Sequence, residues 1–361
     1  MRKLYVPAVV VLIAGLALLG CERKITNEDA GNPDQVSCFT CHSDNNFDFV
    51  AAQQEWANSK HGLGELIMEN NSPCYECHTS EGFLAKLAGE TPDGEHFTAI
   101  TCFTCHAPHT NGDFTLRAEG PYTLQNGEVF DYGKANLCVR CHHARRDVRA
   151  YVSDNVTLSS HWGPHYSDQG DIIAGTGGYE YEGYNYQMSA HNGVLVNGCI
   201  DCHMKGSFAN VAGGHTWNME NEEHEYEHLT GCNVEPCHGT TAPLTTLNRT
   251  AADDFDDDGT VEGVQDEIHG LLDDLGALLT AKGLMVESEE GYIPKANVKI
   301  TDSDSAGAVY NYRVISGERS YGVHNTRYAV GLLQSAINFI STGNPNGVAP
   351  RRGIEELAKA H

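Results

Sequence analysis

Twelve of the thirteen cysteines fall into six close pairs, and each pair is followed at once by a histidine. The pairs are Cys38 and Cys41 before His42, Cys74 and Cys77 before His78, Cys102 and Cys105 before His106, and Cys138 and Cys141 before His142. Cys199 and Cys202 before His203, and Cys232 and Cys237 before His238, complete the set. With 19 histidines in 361 residues, six such coincidences arise by chance with a probability on the order of 10⁻⁸. Disulfides, the usual reading of a cysteine-rich exported chain, do not require that histidine, and neither do zinc ribbons. Attachment of c-type haem does: the two thiols bond the vinyl groups, and the next residue's imidazole falls beneath the iron. The last pair has four intervening residues instead of two, so it is the loosest fit.

Six haems would fill much of the interior, so the expected fold is mainly α with much irregular structure, wrapped around the macrocycles and ending in a pair of long helices. Residues 1–20 read as a lipoprotein export signal, a basic start and an apolar run closed by Leu18-Leu19-Gly20-Cys21, with Cys21 the lipidated residue. The run is shorter than the ~20 residues a spanning helix needs. Residues 21–36 are a polar tether, 37–245 the multihaem domain, and 246–361 a cysteine-free C-terminal segment with an acidic loop. The formal charge of −26 disfavours nucleic acid and suits basic or cationic partners.

Several stretches suggest local structure. EGFLAKLAG reads as a short helix with Phe83, Leu84 and Leu87 on one side. The Gly- and Tyr-rich stretch from His161 to Tyr186 reads as irregular backbone laid over haem. Val264, Ile268, Leu271, Leu272, Leu275, Leu278 and Leu279 recur at helical spacing, as do Val330, Leu333, Ile337 and Ile340 after His324. Residues 284–320 read as short strands and turns.

The second axial ligand decides whether a haem carries electrons or binds substrate. Thirteen histidines lie outside the motifs, more than six irons require, which favours two histidines per iron. The candidates for the distal positions are His61, His109, His165, His191, His215 and His324, with His96 and His161 behind them. His61, His191 and His324 sit beside Gly or Asn, where backbone can approach a macrocycle. His109, three residues past His106, is too near to reach the opposite face of the same iron. His224 and His228, in NEEHEYEH, resemble a charged helix surface.

Residues 74–340, about three quarters of the chain, resemble the pentahaem nitrite reductase and its multihaem relatives, including hydroxylamine oxidoreductase. The matching features are Cys199-Ile-Asp-Cys202-His203-Met204 with His191 before it and His215 after it, and a C-terminal helix opened by His324-Asn325. The resemblance implies that His191 serves the haem of His238, His215 that of His142, and His324 that of His203. It also marks departures. His78 stands where the reductase's catalytic haem has lysine, and His143-Ala-Arg-Arg146 replaces the family's catalytic tyrosine. The glutamate that holds calcium beside that active site is missing, and the unit ending in His42 is an N-terminal addition.

Asp254, Asp256, Asp258 and Gly259 match the first half of a calcium loop, although Gln265 occupies the twelfth position in place of glutamate. Together these features predict an exported, lipid-anchored, periplasmic or cell-surface cytochrome. It would carry six haem c groups, with calcium as a second cofactor, and exchange electrons with other redox proteins. Two other classes remain open: a reductase or oxidase of small nitrogen or sulfur compounds such as nitrite or hydroxylamine, and an oligomer or filament of extracellular cytochromes.

Overall fold

The computed structural model describes residues 46–63, 72–92, 97–235, 237–239, 241–289 and 291–347. The chain divides between Asn46 and Phe47, and every described residue except Asn46 belongs to the second unit. Several expectations therefore lie outside the described residues: the export signal, the lipidation site Cys21 and the tether. So does the whole first attachment unit, Cys38, Cys41 and His42, and so does the distal candidate His96.

The first half of the second unit is built from short helices joined by turns. Helix α1 (Phe47–Ala57) leads into a helical turn at Lys60–Leu63, and the second motif lies on a seven-residue helix, Ser72–His78. Helix α2 (Ser80–Ala88) follows it directly. Thr79 caps α2 by accepting from the Gly82 N–H, and Gly89 ends it in the left-handed conformation. The next three motifs start on helical turns: the third on Cys102–Cys105, the fifth on Cys199–His203, and the fourth at the end of Ala135–Cys138. The strands among the described residues pair only into two-stranded antiparallel ribbons. Helices this short are marginal by themselves. Their arrangement depends on what they pack against.

The C-terminal segment supplies an ordinary apolar core. It contains three long helices where the sequence suggests two: α3 (Val264–Ala281), α4 (Ser303–Glu318) and α5 (Thr326–Thr342). Ile268, Leu271, Leu275 and Leu279 of α3 meet Leu332, Leu333, Ala336 and Ile337 of α5 in one cluster, all fully buried. Each such Leu or Ile contributes roughly 1.5–3 kcal/mol by leaving water. Helix α4 occupies a stretch expected to form strands and turns; only the hairpin Met285–Ser288/Gly291–Pro294 and the strand Lys299–Ile300 do so. The reason is burial on all sides. Residues such as Ala306, Val309, Asn311, Arg313 and Ile315 are all inside, so α4 has no apolar stripe for periodicity to reveal.

The Tyr-rich stretch is mostly irregular backbone, as the sequence suggests. It contains a short helix, Gln169–Ala174, and its tyrosines pack on the C-terminal helices. Tyr179 donates to Asp304 Oδ1 at 2.7 Å, Tyr181 to the Asp304 carbonyl at 2.9 Å, and the Tyr186 hydroxyl lies 2.9 Å from Ser335 Oγ. Asn325, fully buried, pins two segments to the start of α5. Its Oδ1 accepts the Ser189 N–H at 2.8 Å, and its Nδ2 donates to the Ile172 carbonyl at 3.1 Å. Among the described residues, no helix is long and apolar enough to cross a membrane.

Candidate functional site

Each of the five described motif histidines faces a histidine from outside the motifs. His78 stands 6.3 Å from His165, centroid to centroid, and His142 6.0 Å from His61. His106 stands 6.4 Å from His215, His238 6.2 Å from His191, and His203 6.3 Å from His324. Two imidazoles on opposite sides of one first-row metal ion, with metal–nitrogen bonds of about 2.0–2.1 Å and a ring radius of about 1.15 Å, have centroids about 6.3 Å apart. All five distances fall at that spacing. The residues therefore fit an iron between each pair, with the neighbouring cysteines available for thioether attachment. The ten cysteines among the described residues, from Cys74 to Cys237, are all free of disulfides. The attachment expected at Cys38 and Cys41 falls outside those residues.

The outer nitrogens support the same reading. His191 Nδ1 lies 2.9 Å from the Val323 carbonyl, and His203 Nδ1 2.8 Å from the Trp217 carbonyl. A carbonyl can only accept, so both Nδ1 atoms carry the proton and both Nε2 lone pairs are free to bind metal. His324 Nδ1 lies 2.7 Å from Glu318 Oε2, and His142 Nδ1 3.2 Å from Gln169 Oε1. His215 Nδ1 is 3.6 Å from Glu55 Oε2, the oxygen that also takes the His215 backbone N–H at 2.8 Å. Such outer partners fix the orientation of a ligating ring and raise its basicity.

Electrostatics keep most of these rings neutral. Burial is the main cause that pushes both His61 and His203 down to about 4, so near neutral pH they present lone pairs and not protons. His324 behaves differently. Burial lowers it, but the charge and hydrogen bond of Glu318 outweigh burial and leave it above the usual range.

The pairs correct one expected partnership. His215 faces His106, and the ring opposite His142 is His61. The cause is the docking of α1, whose buried Glu55 holds the turn Gly214–Thr216 beside the third motif. Gly214, at φ +54°, has no room for a Cβ because the Glu55 carboxylate lies against it. His109 is exposed on the turn Pro108–Asn111, its ring 5.7 Å from Phe103, and stands opposite none of the five. His161 is exposed as well.

Other histidines are engaged elsewhere. His143 donates from Nδ1 to the Ala144 carbonyl, and its Nε2 lies 3.2 Å from the Tyr122 hydroxyl. His228 is fully buried, not on a charged surface, and donates to the Lys205 carbonyl.

Motifs also touch one another. The Cys77 thiol meets that of Cys141, Cys138 meets Cys199, and Cys202 meets Cys232. The contacts mark adjacency of units. The fourth unit thus lies between the second and the fifth, and the fifth touches the sixth. Glu55, Gln169, Trp217 and Glu318, which hold these rings, have no signal in the sequence, since each acts through a contact that only the folded chain creates.

The acidic loop is rearranged relative to expectation. Asp254, Asp256 and Glu267 bring carboxylate oxygens within 4.8 Å of one another. Asp258 Oδ1 instead takes the Thr260 N–H at 2.7 Å. Glu267, two positions past Gln265, also accepts the backbone N–H groups of Phe255 and Glu262.

No protein-family model matches the chain, and no curated protein matches it in sequence. Among solved structures, it is similar to the crystal structure of the outer cell wall cytochrome OcwA, with a TM-score of 0.48 and 20% identity. The alignment covers 78% of this chain and 48% of that one, so this chain spans about half the length of that protein. That likeness is too distant to assign a chemistry.

Proposed function

We propose that this protein is an exported c-type cytochrome that carries electrons through six haems, each iron held between two histidines. The observation that carries the reading is the set of five histidine pairs with centroids 6.0–6.4 Å apart. His78, His106, His142, His203 and His238 are the proximal ligands, and His165, His215, His61, His324 and His191 their respective distal partners. The sixth haem is assigned to Cys38, Cys41 and His42 on the sequence pattern alone. The haem supplies one-electron exchange at each iron. The chain attaches it and fills both axial positions. Paired rings favour carriage over catalysis at these five positions, because a saturated iron has no place for substrate. The sulfur contacts between units favour close spacing along the series. Other redox proteins are the donor and acceptor, and a lipid on Cys21 is the anchor. The loop of Asp254, Asp256 and Glu267 is assigned to calcium, an oxygen-seeking cation.

Electron paramagnetic resonance of the oxidised protein tests the reading. Only low-spin haem is expected, and a stoichiometric high-spin signal would overturn pure carriage. Intact mass should show six haems. With five, peptide mapping of the haem-free pair would remove either Cys38 and Cys41 or Cys232 and Cys237 from the attachment set.

A further inference from the structure

The turn that presents His215 also places one residue against three of the five pairs. Trp217 meets His61 edge to face at 4.6 Å and 77°, and meets His215 at 5.7 Å and 74°. Its backbone carbonyl takes the Nδ1 proton of His203 at 2.8 Å. Those three imidazoles belong to three different pairs, the ones completed by His142, His106 and His324. Among the described residues, the remaining two pairs are built from His78 with His165 and His191 with His238.

The local backbone is arranged for this placement. Trp217 has φ +55°, in the left-handed region that non-glycine residues seldom adopt. It is kept there by a closed turn in which the Gly213 N–H donates to the Asn218 carbonyl at 2.9 Å and the Thr216 hydroxyl to the Gly213 carbonyl at 2.6 Å. Gly213, also at positive φ, lies so close to the His228 ring that a Cβ would collide with it. Surrounding structure therefore over-determines an unfavourable conformation, the situation in which such strain points to a role.

We propose that Trp217 is a positioning residue shared by three irons: its indole sets the ring planes of His61 and His215, and its carbonyl fixes the tautomer of His203. The proposal rests on the two-histidine reading of the pairs. The low-spin resonance of an iron between two imidazoles depends on the angle between the ring planes, so a residue that braces two rings controls two signals at once. Side chain and main chain are separable here. Glycine tolerates positive φ, so Trp217→Gly deletes the indole while leaving the carbonyl beside His203.

The experiment is electron paramagnetic resonance with a spectroelectrochemical titration of the full-length, haem-loaded protein. His61→Ala and His215→Ala each convert one low-spin signal to high-spin, which assigns the two signals in question. In Trp217→Gly, both assigned signals should move and the remaining signals should hold their positions. Trp217→Phe, which keeps an aromatic ring, should move the same two by less, and it decides the matter if the glycine variant does not accumulate. No movement of the two, or an equal movement of all signals, overturns the proposal. A high-spin signal in the unsubstituted protein would instead defeat the two-histidine reading, so the two failures are distinguishable.

Discussion

Replacing Glu318 with glutamine should raise the reduction potential of one haem, the one between His203 and His324, by about 100 mV. The Glu318 side chain is fully buried, and its Oε2 lies 2.7 Å from His324 Nδ1, with Oε1 taking the Ser320 hydroxyl at 2.6 Å. An iron held between the two rings would be separated from the carboxylate by the His324 ring and its hydrogen bond, on the order of 7 Å. At an effective dielectric of ~20, one charge at that distance favours the extra positive charge of ferric iron by about 2.4 kcal/mol. Since about 2.3 kcal/mol corresponds to 100 mV for one electron, removing the charge shifts the equilibrium toward ferrous iron by that amount. Glutamine keeps the shape and an acceptor oxygen, so the ring should stay in place. The assay is a spectroelectrochemical titration resolved by haem, with low-spin resonance as the check on ligation. If no haem rises by more than a few tens of millivolts, or the affected one falls, the carboxylate does not tune this iron.

Other outcomes follow from the same structure. His324→Ala should create one high-spin centre, at the haem of His203; an unchanged low-spin spectrum would remove His324 from the ligand set. Asp171, which accepts the Ala144 N–H at 2.6 Å, is pushed up to about 7, chiefly by burial. The folded state thus holds a proton that the unfolded chain releases, and this contribution to stability is complete below the ordinary aspartate range and lost as pH rises through 7. Asp171→Asn should therefore flatten the fall in thermal midpoint between about pH 4 and pH 7; an unaltered slope would contradict the assignment. Calcium should raise the thermal midpoint of the full chain, and Glu267→Gln should reduce that rise severalfold. Because burial and neighbouring charge push Asp256 up to about 6, the calcium effect should fade as pH drops through 6. An identical calcium response in Glu267→Gln would exclude the loop.

What can be read from the sequence follows the range of the chemistry. The attachment units are local, since two thiols and an imidazole must meet one macrocycle within a few residues, and so they are visible directly. Partners for those imidazoles are visible only as a surplus of histidines. The structure sets His61, His165, His191, His215 and His324 opposite the motif rings, but which faces which depends on tertiary contacts such as Glu55 against the His215 turn. The same limit hides α4. A helix buried on every side has no stripe, whereas α3 keeps Asp266, His269 and Asp273 exposed along one face. In the acidic loop, spacing points to Asp258, yet the fold brings Glu267 to Asp254 and Asp256 instead.

The histidine pairs also bear on how the protein is made. Partners are 47 residues apart for 191 and 238, and 121 apart for 203 and 324. No pair can close within one emerging segment. For the irons of His142 and His238, the second imidazole is synthesised before the attachment unit and can be waiting when haem is joined. For those of His78, His106 and His203, the attachment unit comes first, and on the proposed reading each iron would have a single protein ligand until a later stretch arrives. The haem of His203 waits longest, for a residue at the entrance to α5. On the proposed two-histidine reading, a chain lacking that helix would leave the iron of His203 with a single protein ligand, so the C-terminal helices would complete the site as well as the fold.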